Sequence, residues 1–306
     1  MKYRNTFWKF VRDNPDKPWS YGLLSANPNI TWDMVQAYSD VPWDYEYLSQ
    51  NRNITWDIVK ANPRKEWDYS GLSANPNITW DIVQANPDKP WNYWELSRNP
   101  NITWDIIKAN PDKPWEFYHI SANRNITIDI VKANPSMKWA YGRLTENPNI
   151  TWDIIQANPS VPWDLYYFYR NPNITWDIVQ ANPGINWIYS NLSCSPNITW
   201  DIVKSNPRIP WDYRWLSENP SITIDIVRHS PGKPWSDEHL VRNPNMTFDV
   251  IRDNAVTLWK YNHLSANPMD KQPMSLQLAV KDAIHKYDID TTPLTRKLRR
   301  WCATLL

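Results

Sequence analysis

The sequence predicts an all-α solenoid, and three observations carry that expectation. A unit of 24 residues recurs without insertion or deletion, with isoleucine at Ile30, Ile54, Ile78, Ile102, Ile126, Ile150, Ile174, Ile198 and Ile222 and methionine at Met246. A tryptophan keeps the same period from Trp19, Trp43 and Trp67 through Trp115 to Trp259. Asn-Pro pairs and helix-starting residues return at fixed offsets through most of the units. Self-similarity at one fixed period marks a stacked repeat architecture. Eleven units account for residues 3–266.

Each unit, typified by NPNITWDIIKANPDKPWEFYHIS at 99–121, divides into two halves that both open on Asn-Pro. The first half predicts a short helix with a threonine N-cap (Thr31, Thr55, Thr79). An aspartate follows two residues later (Asp33, Asp57, Asp81), where its charge meets the helix N-terminus. In the second half Pro18, Pro42, Pro90 and Pro114 are expected at the first helical position. The next Asn-Pro ends each helix, because the residue before proline is pushed out of the α region. Ile, Thr, Trp and Val also favour strands. The recurring cap chemistry and the ladder-breaking prolines decide for helix.

The ends depart from the pattern. Asn5, Trp8 and Val11 keep the register, but Phe7 and Lys9 replace the Thr and Asp, which predicts an N-terminal cap. After Asn267-Pro268 the register fails, and residues 267–306 predict a C-terminal helical cap. Its first helix is capped by Ser275. Its second starts at Pro293 behind Thr292, with Leu294, Leu298, Trp301 and Leu305 against the last repeat. Eleven helix pairs stacked at about 8–10 Å make an open body about 100 Å long. Its radius of gyration would be near ~30 Å, against ~19 Å for a compact chain.

Composition narrows the function. With 33 basic and 32 acidic residues the formal net charge is +1, so no global field favours nucleic acid or an anionic membrane. Prolines number 27, yet aromatics make up 14%, which disorder does not tolerate. Cys194 and Cys302 form neither a metal spacing nor a disulfide framework. No signal-peptide core and no run of about 18 apolar residues occurs, so no membrane span is expected. Sequons from Asn29 and Asn53 to Asn245 would set a glycan on nearly every rung, which argues for an intracellular chain.

Of the 22 tryptophans, most fall in two ladders. The first-half ladder accepts Ile128, Ile224 and Phe248, as a core position does. A basic column three residues after the Asp (Arg12, Lys60, Lys108, Lys132, Lys204, Arg228 and Arg252) could follow phosphates. Glutamines at Gln36, Gln84, Gln156 and Gln180 favour an i,i+3 pair with the Asp instead. His119, His239 and His263 share one variable column without companions at ligand spacing. No catalytic residue, metal site or cofactor is indicated.

The informative positions vary while the frame holds: the third and fourth residues after each second-half Trp, and the residue after the Leu-Ser pair. In a solenoid such columns line one face, where partners bind. Tyr166, Tyr167 and Tyr169 with Arg170, and Trp94 and Trp215 outside the ladders, have hot-spot composition. Local packing under a curved stack is the competing reading.

The unit resembles the Asn-Pro/Trp-Asp tandem repeat of giant DNA viruses that infect amoebae, over about 264 of 306 residues. That resemblance implies a viral origin and a place in host cytoplasm or the virion, and it transfers no catalytic residue. The expected function is a non-enzymatic scaffold binding a host or viral protein. Two alternatives are a self-associating component of a virion or viral factory and, more weakly, a single-strand nucleic-acid reader. Gly71, Leu23 and Asn191 in the fourth column argue against the last, since it needs a stacking group in every unit.

Overall fold

A computed structural model describes residues 2–247, 250–251 and 259–269. Every regular element among them is helical. First-half helices such as Trp56–Ala61 and Trp104–Ala109 span six residues. Thr55 and Thr103 cap them, accepting the Ile58 and Ile106 N–H at 3.4 Å. The basic column pairs with its own helix, Lys60–Asp57 at 2.9 Å and Lys108–Asp105 at 3.0 Å. The α-solenoid expected from the period is present.

The second-half helices start later than the prolines suggest. Tyr45–Gln50 and Tyr69–Ala74 begin three residues beyond the proline column, capped by Asp44 and Asp68. The physical reason is a bond that holds the preceding stretch extended. Trp67 Nε1–H donates to the Asn62 carbonyl at 2.9 Å, and Asn62 in turn donates to Ile58 O at 2.8 Å, closing the first helix. The cap then adds a bond between units: Asp68 N–H donates to Ser49 Oγ at 2.9 Å.

Units are joined by asparagine. Asn75 is fully buried, and its Nδ2 donates to the carbonyls of Asn51 and Ile54 in the preceding unit at 3.0 and 3.2 Å and of Ser49, at the end of the unit before, at 2.9 Å. Asn77, the sequon residue, donates to Arg52 O and Ile54 O. Buried carbonyls demand such partners. Tryptophans join the units on the other side. Trp56 meets Trp91, and Trp80 meets Trp115, both at 5.5 Å between ring centres.

The stack closes on itself. At an ordinary junction Asp44 N–H donates to Ser25 Oγ, Asn51 donates to Ser25 O and Asn27 O, and Tyr45 meets Trp67 edge-on. Between the two ends of the chain, Ser20 N–H donates to Ser265 Oγ at 3.0 Å, and Asn27 donates to Ser265 O and Asn267 O at 2.9 and 3.1 Å. Trp19 meets Tyr261 edge-on at 5.1 Å. The separations of 238 and 240 residues fall short of eleven periods by the 26 and 24 residues found at ordinary junctions. Phe7, Trp8 and Val11 share one buried cluster with Leu240, Met246, Ile251 and Leu264.

This corrects the open rod and the N-terminal cap. Lys2–Arg12 is one continuous helix through positions where other units carry their Asn-Pro turn. The turn that docks there comes from the other end. Asn267 donates to Val241 O and Asn243 O, and Pro268 O accepts from Asn29. Residues 267–269 therefore continue the repeat, and the expected cap beyond them lies outside the described residues.

Curvature follows from unequal layers. Tryptophan pairs thicken the first-half side of each junction, whereas Ser, Ala and Gly recur on the second-half helices. The closest helix–helix approaches all join second-half helices of successive units, so these form the inner circumference. Eleven such helices at about 9 Å make a circle roughly 32 Å across, leaving an opening about 20 Å wide.

Candidate partner-binding surface

Helical geometry sets which side chains face the opening. On Tyr45–Gln50, Leu48 is fully buried toward the first-half helices. At 100° per residue, Glu46 and Gln50 project from the opposite side and Tyr47 from its flank. Those are the three variable columns, so the variable columns line the lumen.

Neighbouring rungs constrain one another along this wall. Fourth-column side chains lean over the third-column residue of the preceding unit. A Cβ added at Gly142 would lie 2.7 Å from the Tyr167 ring, and one at Gly22 would lie 3.1 Å from Tyr47. Where the third column carries Trp94, the fourth-column residue behind it is His119, at 3.9 Å between ring centres. Gly71 instead leaves a recess of about 240 Å³ bordered by Gln50, Ser70, Ala74, Glu95 and Arg98.

The charges of the band balance, and most of them pair within it. Glu46, Glu95, Glu146, Glu218 and Glu238 face Arg98, Arg143, Arg170, Arg214 and Arg242. Arg143 and Arg170 both donate to Glu146, and Arg242 donates to Glu218 at 3.2 Å. Every cation in the three columns is arginine, whereas the basic column on the first-half helices mixes Lys60, Lys108, Lys132 and Lys204 with Arg12, Arg228 and Arg252. Interfaces are enriched in Arg, Tyr and Trp and depleted in Lys.

The six singled-out residues separate into three kinds. Trp94, Tyr166 and Trp215 are 47%, 57% and 38% exposed. Tyr167 is half-buried over Gly142 and meets Tyr166 edge-on at 5.1 Å. Tyr169 stands in the column of the buried serines and packs against the second core cluster, with Arg170 stacked on its ring at 5.3 Å. Trp94 and Trp215 lie far from Tyr166 in sequence but on the same wall. The structure adds Tyr118, 54% exposed, whose ring carries Arg143 at 5.1 Å. Its column was legible as variable. Its exposure was not.

Titratable groups on the wall are tuned by neighbours. Burial pushes the His119 pKa down, and the positive charges of Arg98 and Arg143 push it further the same way. The Arg214 guanidinium, bonded to Asp212 at 2.7 Å, holds that carboxyl below the usual range. Burial raises the Cys194 thiol. Among the described residues no His, Cys, Asp and Glu group could hold a metal ion, and no helix is long and apolar enough to cross a membrane.

No family model, curated protein or solved structure matches the chain.

Proposed function

We propose that the ring is a non-enzymatic scaffold that holds a protein partner against its lumen wall. One observation carries this reading. Of the five exposed large hydrophobic side chains among the described residues, four (Trp94, Tyr118, Tyr166 and Trp215) lie in the variable band. Aromatic side chains with arginine beside them are the composition of binding hot spots. An opening of about 20 Å admits an α-helix about 10–12 Å wide. Balanced, paired charges give no footing for a phosphate backbone.

Changing Trp94 and Tyr166 together to Ser should abolish capture of the partner from host extracts. Changing Met137, the fifth exposed residue, should not. Equal retention by both variants overturns the reading. A viral origin, with a host or viral partner in host cytoplasm or the virion, is proposed on the repeat resemblance alone.

Lateral self-association is the second reading, favoured by a groove of about 540 Å³ away from the band. Trp104, Trp115, Phe117 and Met137 line it. Sedimentation separates the two: a monomer at all concentrations favours the partner scaffold, and concentration-dependent growth favours assembly.

A further inference from the structure

Buried polar atoms without a hydrogen-bond partner are few among the described residues, and they are concentrated. Trp8 Nε1 is one. The other three, His119 Nδ1, His119 Nε2 and Arg143 Nε, sit on adjacent rungs of the lumen wall. His119 is only 5% exposed. Native proteins rarely leave such groups unpaired, because each forfeits its bonds to water. Two neighbouring rungs therefore present polar nitrogens to the rings of Trp94 and Tyr118 and to no hydrogen-bond acceptor of the chain.

Charge indicates what would satisfy them. In the band of the fourth to seventh units, Arg98, Arg143 and Arg170 face Glu95 and Glu146, and Glu116 at the start of the His119 helix brings the stretch to neutrality. Glu146 is shared between Arg143 and Arg170, and Arg143 keeps its Nε free of it. Neutral His119 offers one donor and one acceptor. Protonated, it offers two donors. A dianionic phosphate would meet the carboxylates of Glu95 and Glu146. A single carboxylate that enters with a proton on His119 keeps the stretch neutral.

We propose that this stretch of wall is a carboxylate receptor, in which an acidic side chain of the partner accepts from Arg143 Nε–H and from His119. The proposal rests on the partner-scaffold reading and names the chemistry of the partner. Trp94 covers the site from the lumen side, its ring packed against His119 and overlain by the Arg98 guanidinium at 5.8 Å, so the entering group displaces that ring. Ligand and proton enter together. Glu116, Arg98 and Arg143 act on the imidazole from the surrounding rungs. Burial first, and then the two cations, lower its pKa, and an arriving carboxylate opposes both.

The test follows the imidazole ¹⁵N resonances of His119 in the full chain, assigned by loss in His119→Gln. The probes are acetyl-tetraglutamate amide, acetyl-tetraglutamine amide and inorganic phosphate, between pH 5.5 and 7.5. The glutamate peptide should shift His119 toward its protonated form and leave His239 and His263 unmoved. Its affinity should rise at least tenfold as pH falls through that range. Arg143→Lys keeps the charge but loses the Nε–H, and should weaken binding at least fivefold. Trp94→Ala should bind the peptide as well or better, although it removes a contact of the whole partner. No shift at millimolar peptide, an equal shift with the glutamine peptide, or a larger response to phosphate overturns the proposal. A failure here with Trp94 and Tyr166 still needed for partner capture leaves the scaffold reading standing. Loss of that requirement as well removes both.

Discussion

The side-chain amide of Asn27 donates to the carbonyl of Ser265 at 2.9 Å, across 238 residues of chain. It is the bond that Asn51 makes to Ser25 within the stack, at 2.8 Å. A solenoid with two free faces would leave Asn27 without this partner. Here the first unit is the neighbour of the last, and the ring needs no cap at that junction.

Closure has a thermodynamic signature. Asn27→Ala and Asn99→Ala remove equivalent buried bonds, at the seam and mid-chain respectively. Each should cost about 2–4 kcal/mol, since each leaves buried carbonyls unpaired. Denaturant melts in which Asn99→Ala is costly and Asn27→Ala is neutral would mean an open seam in solution.

Shape gives an independent check. Two concentric helix layers of the size estimated above have a radius of gyration of about 23 Å. Small-angle scattering should return that value with a maximum dimension near 65–70 Å. A value near ~30 Å belongs to the open rod.

The tryptophan ladders should carry stability and the exposed ion pairs should not. Trp104 is 7% exposed and meets Trp139 at 5.5 Å. Trp104→Ala should cost about 3–5 kcal/mol, as other large-to-small core changes do. Lys60→Ala, which breaks an exposed pair with Asp57, should stay within about 0.5 kcal/mol. Similar losses for both would remove the ladder from the core.

One junction is under-bonded and can be repaired. Ser195 stands where other units have the joining asparagine, and Tyr169 stands where they have the serine that accepts from the next unit. Ser195 is 4% exposed, and its backbone keeps the register, donating to Leu192 at 2.9 Å. Ser195→Asn should therefore stabilise the ring by about 1–2 kcal/mol by reaching the carbonyls of Tyr169, Asn171 and Ile174, at the offsets Asn219 uses. A destabilised variant would show that this junction is packed too differently to accept the amide.

His119 makes stability depend on pH. Its pKa is lowered in the folded ring by burial and by Arg98 and Arg143, so the unfolded chain binds its proton first. The stabilisation is complete above the unfolded pKa of about 6.5. It is lost as pH falls from there through the lower folded value. Denaturation midpoints of the wild type should fall relative to those of His119→Leu below about pH 6.5, and parallel curves would exclude the effect.

Part of the wall was readable before the fold. Trp94, Tyr166 and Trp215 break the ladder pattern, and all three are exposed. Tyr167 and Tyr169 break it too, yet they are half-buried. Gly142, one unit back, opens a slot for the Tyr167 ring, and the serine column that Tyr169 occupies points toward the core. Those outcomes depend on the residue one rung away, which a column read by itself does not contain.

The sequence by itself determined the period, the helical state, the threonine caps, the Asp–Lys pairs and the tryptophan ladders. All of these depend on residues within one unit or on its exact repetition. The tertiary structure decided where the second-half helices begin, what the buried asparagines join, and that the chain closes. The last two are relations between units, and the first turns on a side-chain bond, Trp67 to Asn62, that a pattern of propensities does not contain. Closure in particular needs about 33° of turn per unit, set by the difference in thickness between the Trp-rich and Ser-rich layers. A small error in that angle is multiplied eleven times around the stack, so only the assembled ring reveals that Asn27 reaches Ser265.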